Sequence, residues 1–308
     1  MENLVLALVG PTASGKTALS IELAARMNAE IVSADSRQVY RFLDIGTAKP
    51  SLDQSQAIPH HFIDVVNPDE EYSAGVYGIA ARTAISEIIH RGKLPILVGG
   101  SGLYIKSVID GLFDSSGRHK NVRRRLEERL ASEGEDVLRE ELRRIDPTSA
   151  EAIERGKPRR IIRAIEVFEK TGKTISQHFV EQSTPLPHHI VQVGLNIKRS
   201  MLYERINERV LHMIRLGLID EVRSLQAKGY DESLNSLHTV GYRETFEFLR
   251  GELSLDGMTA KIQQKTRNFA KRQMTWFRSD KRIHWIDCSE TESVGELASR
   301  VQSILSRG

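Results

Sequence analysis

The sequence predicts an α/β domain with a parallel sheet covered by helices on both faces and interrupted by a mainly helical insertion. Short, unbroken apolar runs at residues 4–9 (LVLALV) and 94–98 (LPILV) have the look of strands buried on both faces. They alternate with helical segments, the order that builds a parallel sheet. From about residue 114 to 187 the chain becomes highly charged and helical, with no convincing buried strand, before sheet character returns at 190–197 (IVQVGLNI).

Each element follows from local pattern. Residues 4–9 end in a glycine-rich turn, and 16–27 (KTALSIELAARM) have helical character. Residues 30–34 (EIVSA) form a second short strand ending at Asp35, and 61–66 are expected to form a third. Ser73 is placed to cap a helix whose Tyr77, Ala81, Ala84 and Ile88 share one face. The strand at 94–98 is closed by Gly99 and Gly100. After the insertion and the strand at 190–197, two long helical segments are expected at 200–228 and 254–278. In the first, Leu202, Ile206, Val210, Met213 and Val222 keep a helical register; in the second, Leu255, Met258, Ile262, Phe269 and Trp276 form a stripe expected to be core. A strand at 283–288 and a final helix complete the chain. A helical stretch between sheet segments reads as an insertion, giving a core of residues 1–113 and 188–308 and an inserted domain of 114–187.

Composition narrows the class. The chain has 308 residues, 40% of them apolar, enough for one large domain with an appendage. Cys288 is the only cysteine, which excludes an internal disulfide and a cysteine-based zinc site. The paired histidines, His60–His61 and His188–His189, lack metal-motif spacing. No stretch reaches the roughly 20 apolar residues of a membrane span, and no export signal is visible, so the expectation is a cytoplasmic protein, acting as a monomer, without membrane contact.

The strongest motif is Gly10-Pro11-Thr12-Ala13-Ser14-Gly15-Lys16-Thr17, which fits GxxxxGK[ST] and lies between a strand and a helix. Its glycines let backbone N–H groups converge on phosphate oxygens, and the helix N-terminus adds positive potential. Lys16 would neutralise the terminal phosphate, and the Thr17 hydroxyl would complete a Mg²⁺ shell. The predicted fold is therefore P-loop NTPase-like. The loop specifies a polyphosphate group without specifying a reaction, and NKxD, the guanine-reading motif, is absent. At the end of the second strand Asp35 emerges beside this loop. It could be a general base, an outer-shell Mg²⁺ ligand or an ordinary strand-end residue. The run after it, 36–50, is polar, glycine-bearing and not helical in pattern, which suits a binding loop.

GPTASGKT, followed by DSRQVY (35–40), LDIGTAKP (43–50), PHH (59–61), LVGGSGLY (97–104) and KRQMTWF (271–277), resembles the tRNA dimethylallyltransferase family, with every motif in family order from residue 5 to about 287. Eukaryotic relatives often add a C-terminal zinc finger; this sequence is similar to the compact bacterial form. The resemblance implies transfer of a dimethylallyl group from dimethylallyl diphosphate to N6 of the adenosine just 3′ of the tRNA anticodon, in tRNAs reading codons that start with U. It implies that residues 10–17 hold the donor diphosphate, with Lys16 and Thr17 in particular, and that Asp35 is the general base. Asp35, Ser36, Arg37 and Gln38 match the segment that contacts the target base and its neighbours. Ser101 matches a residue flanking the reaction channel, and Arg223 matches an arginine that steadies the diphosphate; from sequence alone Arg223 reads as a surface helix residue.

Three basic clusters fit an RNA partner. Residues 118–125 and 155–163 each carry five Lys/Arg and no acid, and 261–282 carry eight against the single acid Asp280. Such stripes track phosphates without reading sequence, though many are only solvated faces. The resemblance sets Arg123 and the run Arg159, Arg160, Ile161, Ile162 and Arg163 against the tRNA anticodon stem-loop. Two other readings share the phosphate loop: a P-loop small-molecule kinase, and an RNA-binding NTPase without transferase activity. The first explains neither DSRQVY nor the basic clusters.

Overall fold

The computed structural model describes residues 3–112, 120–182 and 184–306. The expected domain boundary at 113/114 and two members of the first basic cluster, Arg118 and His119, lie outside the described residues. In chain order the elements begin β1 (Leu4–Val9), α1 (Lys16–Met27), β2 (Ala29–Ser33), α2 (Leu52–Ala57), β3 (His60–His61), α3 (Ala74–His90), β4 (Leu94–Gly99) and α4 (Gly102–Ile109). Five helices follow: α5 (Lys120–Glu133), α6 (Glu135–Ile145), α7 (Pro147–Ala152), α8 (Pro158–Thr171) and α9 (Ile175–Gln182). The chain then runs through β5 (His189–Ile197), α10 (Arg199–Arg215), α11 (Leu218–Ala227), α12 (Tyr242–Leu249), α13 (Leu255–Arg278), β6 (Ile283–Cys288) and α14 (Val294–Leu305). Two compact units emerge, one of residues 1–72, 79–106 and 187–308, the other of 73–78 and 107–186.

The first unit is built on a six-stranded, wholly parallel sheet in the order β3-β2-β4-β1-β5-β6. β1 lies between β4 and β5, with Leu6 opposite both Ile96 and Val191, and all six of its residues are buried. This is why its sequence is an unbroken apolar run rather than an alternating one. Leu6, Leu8, Ile96 and Val193 pack with Leu19 and Leu23 of α1, Ile206 of α10 and Val301 of α14 in one core. The chain passes from β1 to β2 across the place later taken by β4, and from β4 to β5 on the other side of β1. That reversal opens a crevice at the carboxyl ends of the central strands, the usual ligand position in such sheets.

Four expectations need correction. The strand predicted at 61–66 is reduced to the two residues of β3 plus an isolated bridge between Tyr40 and Val66, because Phe62 and Asp64 turn to φ 67° and 57° and cannot continue a ladder. The helix predicted across 200–228 breaks at Gly217, whose φ of 101° only glycine adopts readily, so Val222 belongs to a separate helix, α11. The eight-residue helix α12 was not anticipated. The apolar stripe on α13 is only partly core: Met258 and Ile262 are buried, whereas Leu255, Phe269 and Trp276 are exposed, and Ala270, Gln273 and Phe277 take the inward positions.

The second unit has a small helical core of Leu126, Leu138, Leu142, Ile161, Ile162 and Ile165. Buried Asp146 caps α7 by accepting from the Ser149 amide at 3.0 Å and joins α9 by accepting from the Ser176 amide at 3.1 Å. Burial alone would raise its pKa, but the hydrogen bonds from Ser149 and Ser176 outweigh that and lower it. Buried Arg139 in turn donates to the carbonyls of Ala150, Ile153 and Glu154, satisfying the end of α7.

Candidate active site

The turn after β1 is the floor of the site. Gly15 caps α1 with φ 90° and no side chain takes up the first-turn amides, so these N–H groups face the crevice as an anion cradle. Lys16 bends back over the loop, its Nζ donating to the carbonyls of Gly10 (2.9 Å) and Pro11 (2.6 Å). Burial and the positive charge of Arg209 push the Lys16 ammonium down to about 7, against an opposing pull from Asp35. Residues 12–17, Asp35, Gln38, Thr47, Gly99, Gly100, Arg209 and Gln273 line one cavity of about 350 Å³, within the range of small-ligand sites.

The wall comes from the loop after β2. The Ala34 amide donates to the Val98 carbonyl at 2.7 Å and the Ser101 amide to the Ala34 carbonyl at 3.3 Å, which ties the root of Asp35 to the end of β4. A side chain at Gly99 could not fit, since a Cβ there would lie 2.1 Å from the Ala34 carbonyl oxygen. Asp35 Oδ1 accepts from the Arg37 amide at 2.8 Å, an Asx turn that fixes the carboxylate at the cavity edge. Ser101 Oγ accepts from the Ser36 amide at 3.0 Å, so this hydroxyl braces the Asp35 turn from below.

The expected site residues divide into three groups. Thr12, Ala13, Ser14, Gly15, Lys16, Thr17, Asp35 and Gln38 line the cavity together. Ser36 and Ser101 support the turn beneath it. Gln38 also donates to the carbonyls of Thr47 and Ala48, holding the 43–50 loop against the site. Arg37 reaches away, its guanidinium donating to the Asn235 carbonyl at 2.7 Å.

Arg223 departs from its expected place. It lies exposed on α11, paired with Asp220 at 2.9 Å, and does not line the cavity. α11 instead turns Glu221, two residues earlier and so on the opposite side of the helix, to the 43–50 loop. Its carboxylate accepts from the amides of Asp44, Ile45 and Gly46 at 3.0, 2.7 and 3.1 Å and from the Tyr242 hydroxyl at 2.6 Å. The arginine that lines the cavity is Arg209 of α10. Burial lowers its pKa, and the Asp35 charge offsets part of that loss.

Sequence reasoning also missed Gln273. Buried on α13, it accepts from the Thr12 amide at 2.8 Å through Oε1 and donates to the Gly100 carbonyl at 2.9 Å through Nε2. One side chain thereby joins the phosphate loop to the end of β4. Its signal was present: a polar residue three positions after Ala270 and four before Phe277, on the buried side of the helix. Nothing local marks Arg209, whose neighbour four residues earlier, Arg205, is also an arginine.

Within the helical unit, the basic clusters are largely paired. Arg123, Arg124 and Arg125 meet Glu127, Glu128 and Glu169 at 3.0, 3.8 and 2.6 Å, so a run without acids is neutralised by the helix turn and by α8. Arg163 pairs with buried Glu166 at 3.0 Å. The side chains of Ile161 and Ile162 are core, at 0% and 1% exposure, which leaves Arg159 and Arg160 as the exposed members of that run.

The cavity brings together an amide cradle, a lysine, an arginine and a carboxylate, the parts needed to hold a diphosphate and to take a proton from a nucleophile beside it. Among the described residues no three His, Cys, Asp or Glu gather as a metal site, so a hard cation here would take most of its oxygens from the ligand and from water, with Thr17 as the protein donor. No helix of the described residues is long and apolar enough to cross a membrane.

Residues 38–280 match the family model for IPP transferase. The chain is 45% identical over 295 residues to the tRNA dimethylallyltransferase of Acetivibrio thermocellus, covering 95% of this chain and 94% of that one. It is 44% identical over 304 residues to the tRNA dimethylallyltransferase of Carboxydothermus hydrogenoformans, covering 98% and 97%. Among solved structures, the tRNA isopentenylpyrophosphate transferase of Bacillus halodurans aligns over 100% of this chain and 98% of its own, with 38% identity and a TM-score of 0.71. A eukaryotic dimethylallyltransferase acting on tRNA aligns over 99% and 80%, with 27% identity and a TM-score of 0.82.

Proposed function

Because the chain belongs to the IPP transferase family, we propose that it moves the dimethylallyl group of dimethylallyl diphosphate onto N6 of the adenosine 3′-adjacent to the anticodon, in tRNAs that read codons beginning with U. The observation that carries this reading is that Asp35 and the Lys16 cradle line one cavity. An adenine amine is a weak nucleophile because its lone pair is delocalised into the ring. As N6 attacks C1 of the allylic group, the C1–O bond breaks and its electron pair leaves with diphosphate. The proton on N6 passes to Asp35. Lys16, Arg209 and the first-turn amides of α1 stabilise the charge growing on the departing diphosphate. Thr17 would hold a Mg²⁺ ion in the cavity, and such an ion would supply further charge neutralisation at the leaving group.

The target base must leave its stack to meet Asp35, and a single-stranded anticodon loop makes that inexpensive. Arg159 and Arg160 are the exposed cations of the 159–163 run and would hold RNA phosphates. The protein functions as a cytoplasmic monomer in this reading. A small-molecule kinase would share the phosphate loop, but the names of the relatives favour prenyl transfer. The test is direct: protein, Mg²⁺, labelled dimethylallyl diphosphate and unmodified tRNA are incubated together. Label in the RNA supports the reading, whereas phosphorylation of a small molecule from ATP without labelled RNA sinks it.

A further inference from the structure

We propose that Phe42, Tyr230 and Lys228 form a stacking platform for an unpaired base of the RNA substrate that neighbours the target adenosine, a contact that rests on the reading above. Phe42 is a bulky residue at φ 67°, a region that such residues avoid, and the residue is 40% exposed. Folding does not push it out by default. Its neighbours Tyr40 and Leu43 are buried at 2% and 0% exposure, and the Arg41 amide donates to the Val66 carbonyl at 2.9 Å. On the other side the three amides of residues 44–46 are held by Glu221. The backbone around Phe42 is thus determined from both directions, the condition under which strain persists and presents a side chain.

The ring has company suited to a nucleotide. Tyr230 stacks on it with centroids 6.3 Å apart and planes 27° from parallel, and the Lys228 ammonium lies 5.1 Å from its centroid. Lys228 forms no ion pair among the described residues, while the carboxylates of Asp44 and Asp64 are both taken by Lys49. A cation over an exposed ring is a weaker contact than a stacked base, so a base can displace the ammonium and leave it to meet the adjoining phosphate. Phe42 lies seven residues after Asp35 in the same β2–α2 loop, and Arg37, two residues after Asp35, bonds the Asn235 carbonyl five residues beyond Tyr230.

The test turns on Phe42→Gly, which removes the ring and also relieves the backbone, since glycine accepts positive φ without strain. If the ring serves RNA, the variant melts at or above the temperature of the native chain while Kd and KM for an anticodon stem-loop rise about tenfold. KM for dimethylallyl diphosphate stays within about twofold. Lys228→Gln weakens RNA binding several-fold and flattens its salt dependence. Native RNA affinity in Phe42→Gly overturns the platform, as does a fall in melting temperature that accounts for the weaker binding. If the native chain neither binds the stem-loop nor labels it, the function itself fails, an outcome distinct from the other two.

Discussion

The phosphate-side cavity of the α/β unit and the basic face of the helical unit both concentrate charge, but they hold it in opposite ways. In and behind the cavity wall, polar side chains are tied by partners far away in sequence: Gln273 to Thr12 and Gly100, Glu221 to residues 44–46, Ser101 to Ser36. On the helical unit, Arg123 and Arg124 pair with glutamates one helical turn away, and such exposed pairs contribute only about 0.2–1 kcal/mol each. The first arrangement fixes atoms for chemistry. The second keeps charge exchangeable, so that phosphates can replace carboxylates at small cost. Substitutions in the cavity should therefore act on turnover, and those on the helical face on salt-sensitive affinity.

The sharpest way to break this contrast is Asp35→Asn, which keeps an oxygen for the Arg37 amide but removes the base. Prenyl transfer in single-turnover assays should fall by roughly 10²–10⁴-fold, the usual contribution of a positioned general base, with tRNA affinity within about threefold of native. Lost binding with normal turnover would transfer Asp35 to the RNA-holding class.

Next in size is a paired comparison of arginines. Arg209→Ala should lower kcat by about 10²–10³-fold, as loss of a preorganised partner for the leaving group does. Arg223→Ala, which removes only an exposed pair with Asp220, should change it by less than about twofold. The reverse result would show that Arg223 reaches the donor and that the cavity described above is incomplete.

A third measurement uses pH. Lys16, pushed down to about 7, loses its proton as pH rises through that value, whereas a bound diphosphate favours the protonated form. Inorganic diphosphate affinity should therefore fall by up to about tenfold per unit above pH 7, and calorimetry on Lys16→Arg should lack that component, the ligand's own titration being common to both. Stability carries the opposite sign. Between about 7 and the ordinary lysine value the unfolded chain binds more protons, so this group makes the ligand-free protein more stable as pH rises. A diphosphate isotherm with the same pH dependence in both proteins would remove Lys16 from the cradle.

The smallest effect belongs to the helical face. Arg159→Ala with Arg160→Ala should weaken tRNA binding by a few-fold near physiological salt and reduce the slope of log K against log salt by about 1–2, leaving turnover at saturating tRNA near native. A turnover loss at saturating RNA would mean that the two regions are not separable.

Local chemistry alone made much of this molecule legible. The apolar run of β1, the GxxxxGK[ST] turn and the Ser73 cap of α3 depend on neighbours in the chain, and burial on both faces leaves β1 no alternation to hide. Asp35 was readable because a strand end next to a phosphate loop is a position defined by sequence order. Gln273, Arg209 and Glu221 were not, because each acquires its meaning from a partner brought close only by folding: Gln273 is 261 residues from Thr12 and Glu221 is 176 from Ile45. The same limit explains Arg125 of the first basic run, whose acid, Glu169, arrives from another helix. Arg223 is exposed, as the sequence alone reads it; its place at the diphosphate was implied only by the resemblance. Sequence order thus determined most of the strands, the phosphate turn and the carboxylate beside it, since these follow from short-range sterics and hydrophobic burial. Tertiary structure decided which arginine lines the cavity, which carboxylate holds the 43–50 loop and which cations remain exposed, because hydrogen bonds and ion pairs depend on distances that only the packed chain sets.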